Sequence, residues 1–146
     1  WSPPAGFRNS GFAGDGAMVA FLGRSDILIC MLPRTPQTQG ILNKHTFAML
    51  PDGAFEINVA RGGHLIKNDL IAASDSGHLA GATLDVFKTE PLPESSPLWK
   101  HPKITVTPHV AAISDPRAMA RIVVDGIARV GNGLPLENTI DFARGY

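Results

Sequence analysis

Two side chains of this sequence could together bind a small anion and donate a proton to it. Arg61 ends the strand-like run of residues 55–60 and is followed at once by two glycines. A guanidinium can hold a carboxylate through two parallel hydrogen bonds. His109 follows another short apolar run, and histidine is the side chain whose ordinary pKa lies nearest neutrality. Considered alone, Arg61 is better explained as a solvated arginine before a turn, because short motifs often match by chance.

Acidic residues near the histidine extend the chemistry. Asp85 ends a third apolar run, and Glu90 follows it in a Pro-rich loop. An arginine, a histidine and an acid beside the histidine are the groups that reduction of a 2-keto acid needs. Arg61 would hold the carboxylate and polarise the carbonyl, while His109 would donate the proton. Glu90 would bind the far ring nitrogen and favour the charged imidazolium. The hydride has to come from a cofactor, because no side chain supplies one.

Alternating elements must position these groups. Apolar runs predict four strands, at residues 26–32, 54–60, 81–87 and 103–107. The first run is continuously apolar, which is typical of a strand covered on both faces. A helix is weakly predicted at residues 17–22. Three further helices are predicted: one from the cap Asn43 to residue 50, one from residue 67 or 68 to Gly77, which ends it, and one from Ser114-Asp115-Pro116 to Gly131.

The alternation of strands and helices predicts an α/β fold with right-handed βαβ units and a parallel sheet. Ligands of such sheets bind at the carboxyl ends of the strands. Arg61, Asp85 and His109 all fall just beyond such ends. Three polar candidates at one edge are hard to explain by chance, so we expect a functional site there.

Composition excludes several classes of protein. The 146 residues are 44% hydrophobic and 18% charged, which is typical of a globular domain. Lys plus Arg and Asp plus Glu number 13 each. The chain therefore lacks the basic excess that would indicate binding to nucleic acid, and it lacks the charge block that would indicate binding to a membrane surface. Cys30 is the one cysteine, so no internal disulfide forms and we expect a reducing, cytoplasmic location. No apolar run approaches the roughly 20 residues of a membrane helix.

The four other histidines are expected to have surface or packing roles. They show neither convergent acids nor the spacing of metal ligands, and we predict no metal site. These residues are His45, His64, His78 and His101.

Four ordered motifs resemble those of one enzyme family, the D-isomer-specific 2-hydroxyacid dehydrogenases. The similarity is greatest to the glyoxylate/hydroxypyruvate reductase A branch and runs from about residue 26 onward. The motifs are Leu-Pro-Arg-Thr-Pro-Gln-Thr at 32–38, Asn-Val-Ala-Arg-Gly-Gly at 58–63, Leu-Asp-Val-Phe-Lys-Thr-Glu-Pro at 84–91 and Thr-Pro-His-Val-Ala-Ala at 107–112.

The resemblance implies a role for each candidate residue. Arg61 would bind and polarise the substrate, His109 would be the acid/base, and Glu90 would be its partner. Asp85 would contact the nicotinamide carboxamide of NADP or NAD. The other cofactor contacts that it implies, beside Arg61 and His109, are Trp1, Ser2, Leu32, Pro33, Thr38, Val59, Ala60 and Ala111.

The resemblance also implies an architecture. Residues 1–133 would be part of a Rossmann-type, doubly wound NAD(P)-binding domain with a long C-terminal helix. Residues 134–146 would be an irregular tail that packs on a substrate domain. The family's Gly-x-Gly-x-x-Gly turn, which holds pyrophosphate at a helix N-terminus, is absent from these residues. The simplest interpretation is the C-terminal part of a longer, homodimeric enzyme.

Cofactor type and function leave alternatives open. In related reductases an arginine after the Trp-Ser pair meets the 2′-phosphate of NADP, whereas this chain has Pro3, with Arg8 as a possible substitute. We favour NADP over NAD. The favoured substrate is glyoxylate or hydroxypyruvate. One alternative is a non-catalytic remnant of the fold. Another is a relative acting on phosphoglycerate or formate, although His109 and Glu90 count against formate.

Overall fold

The computed structural model describes residues 11–12, 14, 16–112, 114–137 and 139–141. These residues form a sheet of four strands, four α-helices and two short 3₁₀ turns, Gly62–His64 and Pro97–Lys100. The strands are β1 (Ile27–Cys30), β2 (Ala54–Asn58), β3 (Leu79–Leu84) and β4 (Ile104–Val106). The helices are α1 (Ala17–Leu22), α2 (Lys44–Ala48), α3 (Lys67–Asp75) and α4 (Pro116–Gly131).

The sheet is parallel throughout, with the spatial order β1-β2-β3-β4. Its register aligns Leu28, Glu56, Ala82 and Ile104 in one row across the four strands. The predicted α/β class is therefore confirmed. Because all four strands run the same way, their carboxyl ends meet at one edge of the sheet.

Local sequence explains where the helices begin and end. The Asn43 side chain accepts hydrogen bonds from the first turn of α2, and the Asp115 side chain does the same for α4. Pro116 opens α4, where its missing N–H costs nothing. Gly77 follows α3 with a φ of +83°, a conformation that glycine adopts without strain. These predicted helix ends are confirmed.

Strand ends differ from the prediction by a few residues. β2 ends at Asn58 rather than at residue 60, because the Asn58 side chain accepts a hydrogen bond from the Ala60 N–H and turns the chain. β3 begins at Leu79, which pairs with Ala54, and it ends before Asp85. The candidate residues at the carboxyl ends of these strands consequently lie in loops rather than in the strands themselves.

The hydrophobic core lies against one face of the sheet. Its buried members from the sheet include Leu28, Cys30, Ala54, Ala82 and Leu84. The helices and the loops around them contribute Leu22, Leu42, Phe47, Leu50, Leu70 and Leu98.

The opposite face of the sheet is open at β1. Ile27 and Ile29 are 60% and 53% exposed, so the prediction that this strand is covered on both faces is wrong for the described residues. β1 lies at the edge of the sheet, and its side chains alternate between the core and the open face.

Helix α4 also carries an uncovered apolar stripe. None of its residues is buried in the described part of the chain. The helical spacing that predicted it is present, but the stripe is exposed along its whole length: Met119, Ile122, Val123, Ile127 and Val130. Residues 134–137 and 139–141, beyond α4, contain neither helix nor strand.

Among the described residues, no helix combines the length and the apolar character needed to span a membrane.

Candidate active site

The carboxyl edge of the sheet brings the three predicted catalytic residues to one cleft. Arg61 follows β2, Glu90 lies in the loop after β3, and His109 follows β4. A cleft of about 260 Å³ is lined by all three. Its other lining residues are Arg34, Gln39, Gly62, Gly63, Phe87 and Lys88. The structure therefore joins a cation, an acid and a histidine that are 29 and 19 residues apart in the sequence.

Glu90 and His109 form an ion-pair geometry inside this cleft. The Glu90 Oε2 atom lies 2.9 Å from His109 Nδ1, and its Oε1 atom accepts a hydrogen bond of 2.8 Å from the Phe87 N–H. The Phe87 N–H, the contact with His109 and the charge of Arg61 together hold the pKa of Glu90 below its usual range. An ionised Glu90 fixes a proton on Nδ1, which leaves Nε2 free to exchange a proton with a ligand.

Asp85 is buried and holds the loop that carries His109. Its carboxylate accepts hydrogen bonds from Thr107 Oγ1 at 2.6 Å and from the N–H groups of Val110 and Ala111 at 2.9 Å each. Burial raises the pKa of Asp85, but the bonds from Thr107, Ala111 and Val110 outweigh it, so the pKa lies below its usual range. His109 itself has a φ of 56°, which is unusual for a residue other than glycine. Asp85 thus fixes residues on both sides of a strained histidine.

The loops of Arg61 and Glu90 are in direct backbone contact at Gly62. A Cβ atom added to Gly62 would lie 1.9 Å from the Phe87 carbonyl carbon and 2.3 Å from the Lys88 nitrogen. No side chain fits in that space. The glycine after Arg61 therefore sets how closely the arginine approaches the Glu90–His109 pair.

A second cleft collects five of the eleven predicted cofactor residues. It has a volume of about 590 Å³ and is lined by Met31, Leu32, Pro33, Arg34, Val59, Ala60 and Arg61. Its walls are largely aliphatic, and arginines lie at its border. Aliphatic walls suit the faces of a flat heteroaromatic ring, so these residues fit the nicotinamide end of a dinucleotide. The cleft meets the first one at Arg34 and Arg61.

The remaining predicted cofactor residues lie elsewhere. The Thr38 hydroxyl turns back into its own loop, where it donates to the Pro33 carbonyl at 2.7 Å, and Thr38 does not line the second cleft. Ala111 binds Asp85 through its N–H. Three hydrogen bonds use most of the acceptor positions of Asp85, and its contact with a carboxamide stays a prediction. Trp1 and Ser2 lie outside the described residues.

Sequence reasoning missed one feature of this region and two histidine–aspartate pairs outside it. Arg34 lines both clefts, and its place in the loop after β1 is the same kind of position that identified Arg61. The expectation that the other histidines have no acidic partners is wrong for two of them. His78 Nδ1 lies 2.7 Å from Asp52, and His101 Nε2 lies 3.2 Å from Asp75. Both acids are 26 residues from their histidine, so only the fold reveals the pairs.

A parallel sheet that brings an arginine and a Glu–His pair to its carboxyl edge has the groups that a dehydrogenase domain needs to bind an anion and transfer a proton. The sequence model of the family described as D-isomer specific 2-hydroxyacid dehydrogenase, NAD binding domain, matches residues 5–111. The chain belongs to this family. The predicted family, Rossmann-type class and nicotinamide type of cofactor are thereby confirmed.

Solved structures of the same family are similar over most of the chain. A D-isomer specific 2-hydroxyacid dehydrogenase from Xanthobacter autotrophicus Py2, in complex with NADPH and MES, is 50% identical with a TM-score of 0.85, and the match covers 89% of this chain and 54% of that one. The NADPH-dependent glyoxylate/hydroxypyruvate reductase of Sinorhizobium meliloti, in complex with NADP and sulfate, is 47% identical with a TM-score of 0.86, and the match covers 91% and 44%. The chain therefore spans about half the length of these relatives.

Proposed function

We propose that this chain carries the catalytic residues of an NADPH-dependent reductase that converts glyoxylate or hydroxypyruvate to the 2-hydroxy acid. The observation that carries the proposal is the Glu90–His109 contact of 2.9 Å in the same cleft as Arg61. The Sinorhizobium meliloti relative, described as acting on these two acids, supports this choice of substrates.

Three residues of the cleft have a defined task in this reaction, and Asp85 supports them from outside the cleft. Arg61 holds the substrate carboxylate and stabilises the negative charge that develops on the neighbouring carbonyl oxygen. His109 donates a proton from Nε2 to that oxygen. Glu90, ionised and bound to Nδ1, supports the imidazolium that donates it. Asp85 keeps the His109 loop in place through Thr107 and the following N–H groups.

The second cleft would hold the nicotinamide ring against Leu32, Pro33, Val59 and Ala60. A bound nicotinamide cofactor supplies the hydride. We favour NADP over NAD because the two relatives described above were solved with NADPH or NADP. Tight dinucleotide binding also needs a pyrophosphate cradle, which we assign to the rest of a longer chain. In that enzyme, residues 134–146 would pack on a substrate domain, and two copies would form a homodimer.

Turnover of a small 2-keto acid tests the proposal directly. We expect the complete enzyme to oxidise NADPH when glyoxylate or hydroxypyruvate is added, followed by the absorbance of the reduced cofactor. His109→Asn should lower kcat by roughly two to four orders of magnitude, because it removes the proton donor. Arg61→Gln should raise KM for the keto acid as well as lower kcat, because the arginine also binds the ground state.

His45→Asn is the matched control, since His45 is exposed and lines neither cleft. Its kinetics should equal those of the wild type. Absence of turnover with every small 2-keto acid would contradict the proposal. An Arg61→Gln enzyme with an unchanged KM would remove the carboxylate-binding role of that residue.

A further inference from the structure

His64 is completely buried beside the proposed active site and is not used by the reaction itself. It ends the 3₁₀ turn Gly62–His64, directly after Arg61, and its relative exposure is 0%. Its Nδ1 atom lies 2.9 Å from the Arg61 carbonyl oxygen, and its Nε2 atom lies 3.2 Å from the Pro33 carbonyl oxygen. One imidazole therefore spans the gap between the Arg61 segment and the loop after β1.

Both partners of this ring are carbonyl oxygens, which only accept hydrogen bonds. A neutral imidazole donates through one nitrogen, whereas an imidazolium donates through both. In either form the ring is buried and therefore shielded from bulk solvent. Loss of the ring would remove one polar contact from each of these carbonyl groups in the interior, which is costly.

Each of the two carbonyl groups also accepts a second hydrogen bond from a nearby donor. The Arg61 carbonyl accepts a second bond from the His64 N–H at 3.1 Å. The Pro33 carbonyl accepts one from the Thr38 hydroxyl at 2.7 Å. Further backbone bonds run parallel to the imidazole, from Gly40 N–H to the Gly63 carbonyl at 3.0 Å and from Leu42 N–H to the His64 carbonyl at 2.9 Å. Together these bonds join the loop after β1 to the segment that follows Arg61, and we call this set of bonds the seam. His64 contributes to the seam through its side chain.

We propose that His64 is a positioning residue that fixes the Arg61 backbone against the Pro33 loop. The inference rests on the proposed function, in which Arg61 binds the keto acid and Pro33 borders the nicotinamide. With the seam intact, the carboxylate-binding guanidinium keeps a constant distance from the ring that delivers the hydride. Each contact supports its own loop, so loss of the Arg61 contact should weaken use of the keto acid, and loss of the Pro33 contact should weaken binding of NADPH.

Two amide variants separate the two contacts. The Asn side-chain nitrogen can occupy the position of Nδ1 and keep the Arg61 contact, while the Gln nitrogen can reach the position of Nε2 and keep the Pro33 contact. We expect His64→Asn to raise the KM for NADPH by about tenfold, with kcat/KM for the keto acid, measured at saturating NADPH, within about twofold of wild type. His64→Gln should lower kcat/KM for the keto acid and leave the KM for NADPH close to the wild-type value. His64→Leu should impair both NADPH binding and use of the keto acid.

A merely structural role would give a different pattern. Both amide variants would then lower the melting temperature and change all kinetic constants in the same proportion. That outcome, or wild-type kinetics in His64→Leu, would overturn the proposal. His45→Asn again serves as the exposed histidine control.

Nitrogen-15 NMR of the histidine rings separates this inference from the proposed function. We expect at least one ring N–H proton of His64 to exchange slowly with water, in contrast to those of exposed His45. Fast exchange of both His64 ring protons would overturn the bridge, whatever the enzyme does with glyoxylate. If the wild type shows the slow proton but reduces no keto acid, the bridge stands and the proposed function fails.

Discussion

The carboxylate of Asp85 does more for the site than its position in the sequence indicated. Its location near the end of a strand was predictable from the apolar run before it, although the predicted strand continued to residue 87. Its three hydrogen bonds were not, because they depend on how residues 107–111 turn around His109. The same limit applies to His64, since neither of its carbonyl partners can be recognised from sequence.

Replacement of Asp85 by Asn should disturb the His109 loop. The amide would direct N–H groups at one of its present donors, Val110 or Ala111, so an unsatisfied pair would remain in the interior. We expect a loss of about 1–3 kcal/mol in unfolding free energy and at least a tenfold fall in kcat. Urea unfolding and steady-state kinetics measure the two effects.

The pH dependence of this change has a defined sign. The pKa of Asp85 is depressed in the folded state, so its stabilisation is present above the unfolded pKa of 3.8 and is lost as pH falls through the folded value. The difference between wild type and Asp85→Asn should shrink in acid. Asp125→Asn, at an exposed position of α4, is the control. If Asp85→Asn were as stable as the wild type at neutral pH, Asp85 would not hold the His109 loop in place.

Glu56 is a second residue whose environment was not foreseen. It interrupts an apolar run, and its position in β2 alternates with the half-buried Phe55 and Ile57, so it points into the core. The side chain is 0% exposed, and neither carboxylate oxygen has a hydrogen-bond partner among the described residues. Burial raises the pKa of Glu56 to about 8, so the acid is largely neutral at pH 7.

Glu56 should make the protein less stable as pH rises. The folded pKa lies above the unfolded value of 4.5, so the unfolded state binds fewer protons and stability falls between about pH 4.5 and 8. Glu56→Leu should remove this decline and add a few kcal/mol at the alkaline end. Urea unfolding at both ends of the range measures it, with exposed Glu94→Gln as the control. Parallel pH profiles for wild type and Glu56→Leu would show that Glu56 does not titrate in this way.

At the scale of elements, periodicity and turn chemistry predicted most of what the structure contains. The four parallel strands and the caps of α2 and α4 follow from local sequence alone. The lengths of the strands do not, because Asn58 and Asp85 redirect the chain through side-chain bonds to loops. The exposure of α4 could not be predicted either, since an apolar stripe identifies a helix but not what covers it.

The contact at Gly62 yields a prediction about two loops. Gly62→Ala would force the Arg61 loop away from residues 87–88, because the added Cβ meets backbone rather than a flexible side chain. We expect a roughly hundredfold loss of kcat/KM and a lower melting temperature. Gly126→Ala, where the added Cβ meets only Leu136 at 3.6 Å, is the matched control and should be slightly stabilising. Normal activity of Gly62→Ala would mean that the loop spacing is not critical.

At the scale of the whole molecule, the residues of the proposed reaction lie within this chain, whereas only part of the proposed dinucleotide site does. The aliphatic cleft beside Arg61 fits a nicotinamide ring, whereas the sequence has no glycine-rich turn for the pyrophosphate. The motifs predict this division. The open face at Ile27 and Ile29 could not be predicted, because a continuous apolar run does not reveal which of its neighbours are present.

The 146-residue chain alone should not bind NADPH tightly. Without a pyrophosphate cradle, the ring contacts leave only weak affinity, and titration should produce no saturable fluorescence change below the millimolar range. The Sinorhizobium meliloti reductase, which was solved with NADP, is the positive control. Micromolar binding by the 146 residues would contradict this division of the site. Absence of turnover by the complete enzyme would instead favour a non-catalytic remnant.

The buried acid in β2 also has a calorimetric consequence. At about pH 6, Glu56 is protonated in the folded chain and ionised in the unfolded chain, so unfolding releases close to one proton to the buffer. The heat of unfolding should therefore depend on the buffer, being smaller in imidazole, whose protonation is strongly exothermic, than in phosphate. Near pH 6, folding should therefore take up close to one proton at Glu56, a carboxyl group in the sheet.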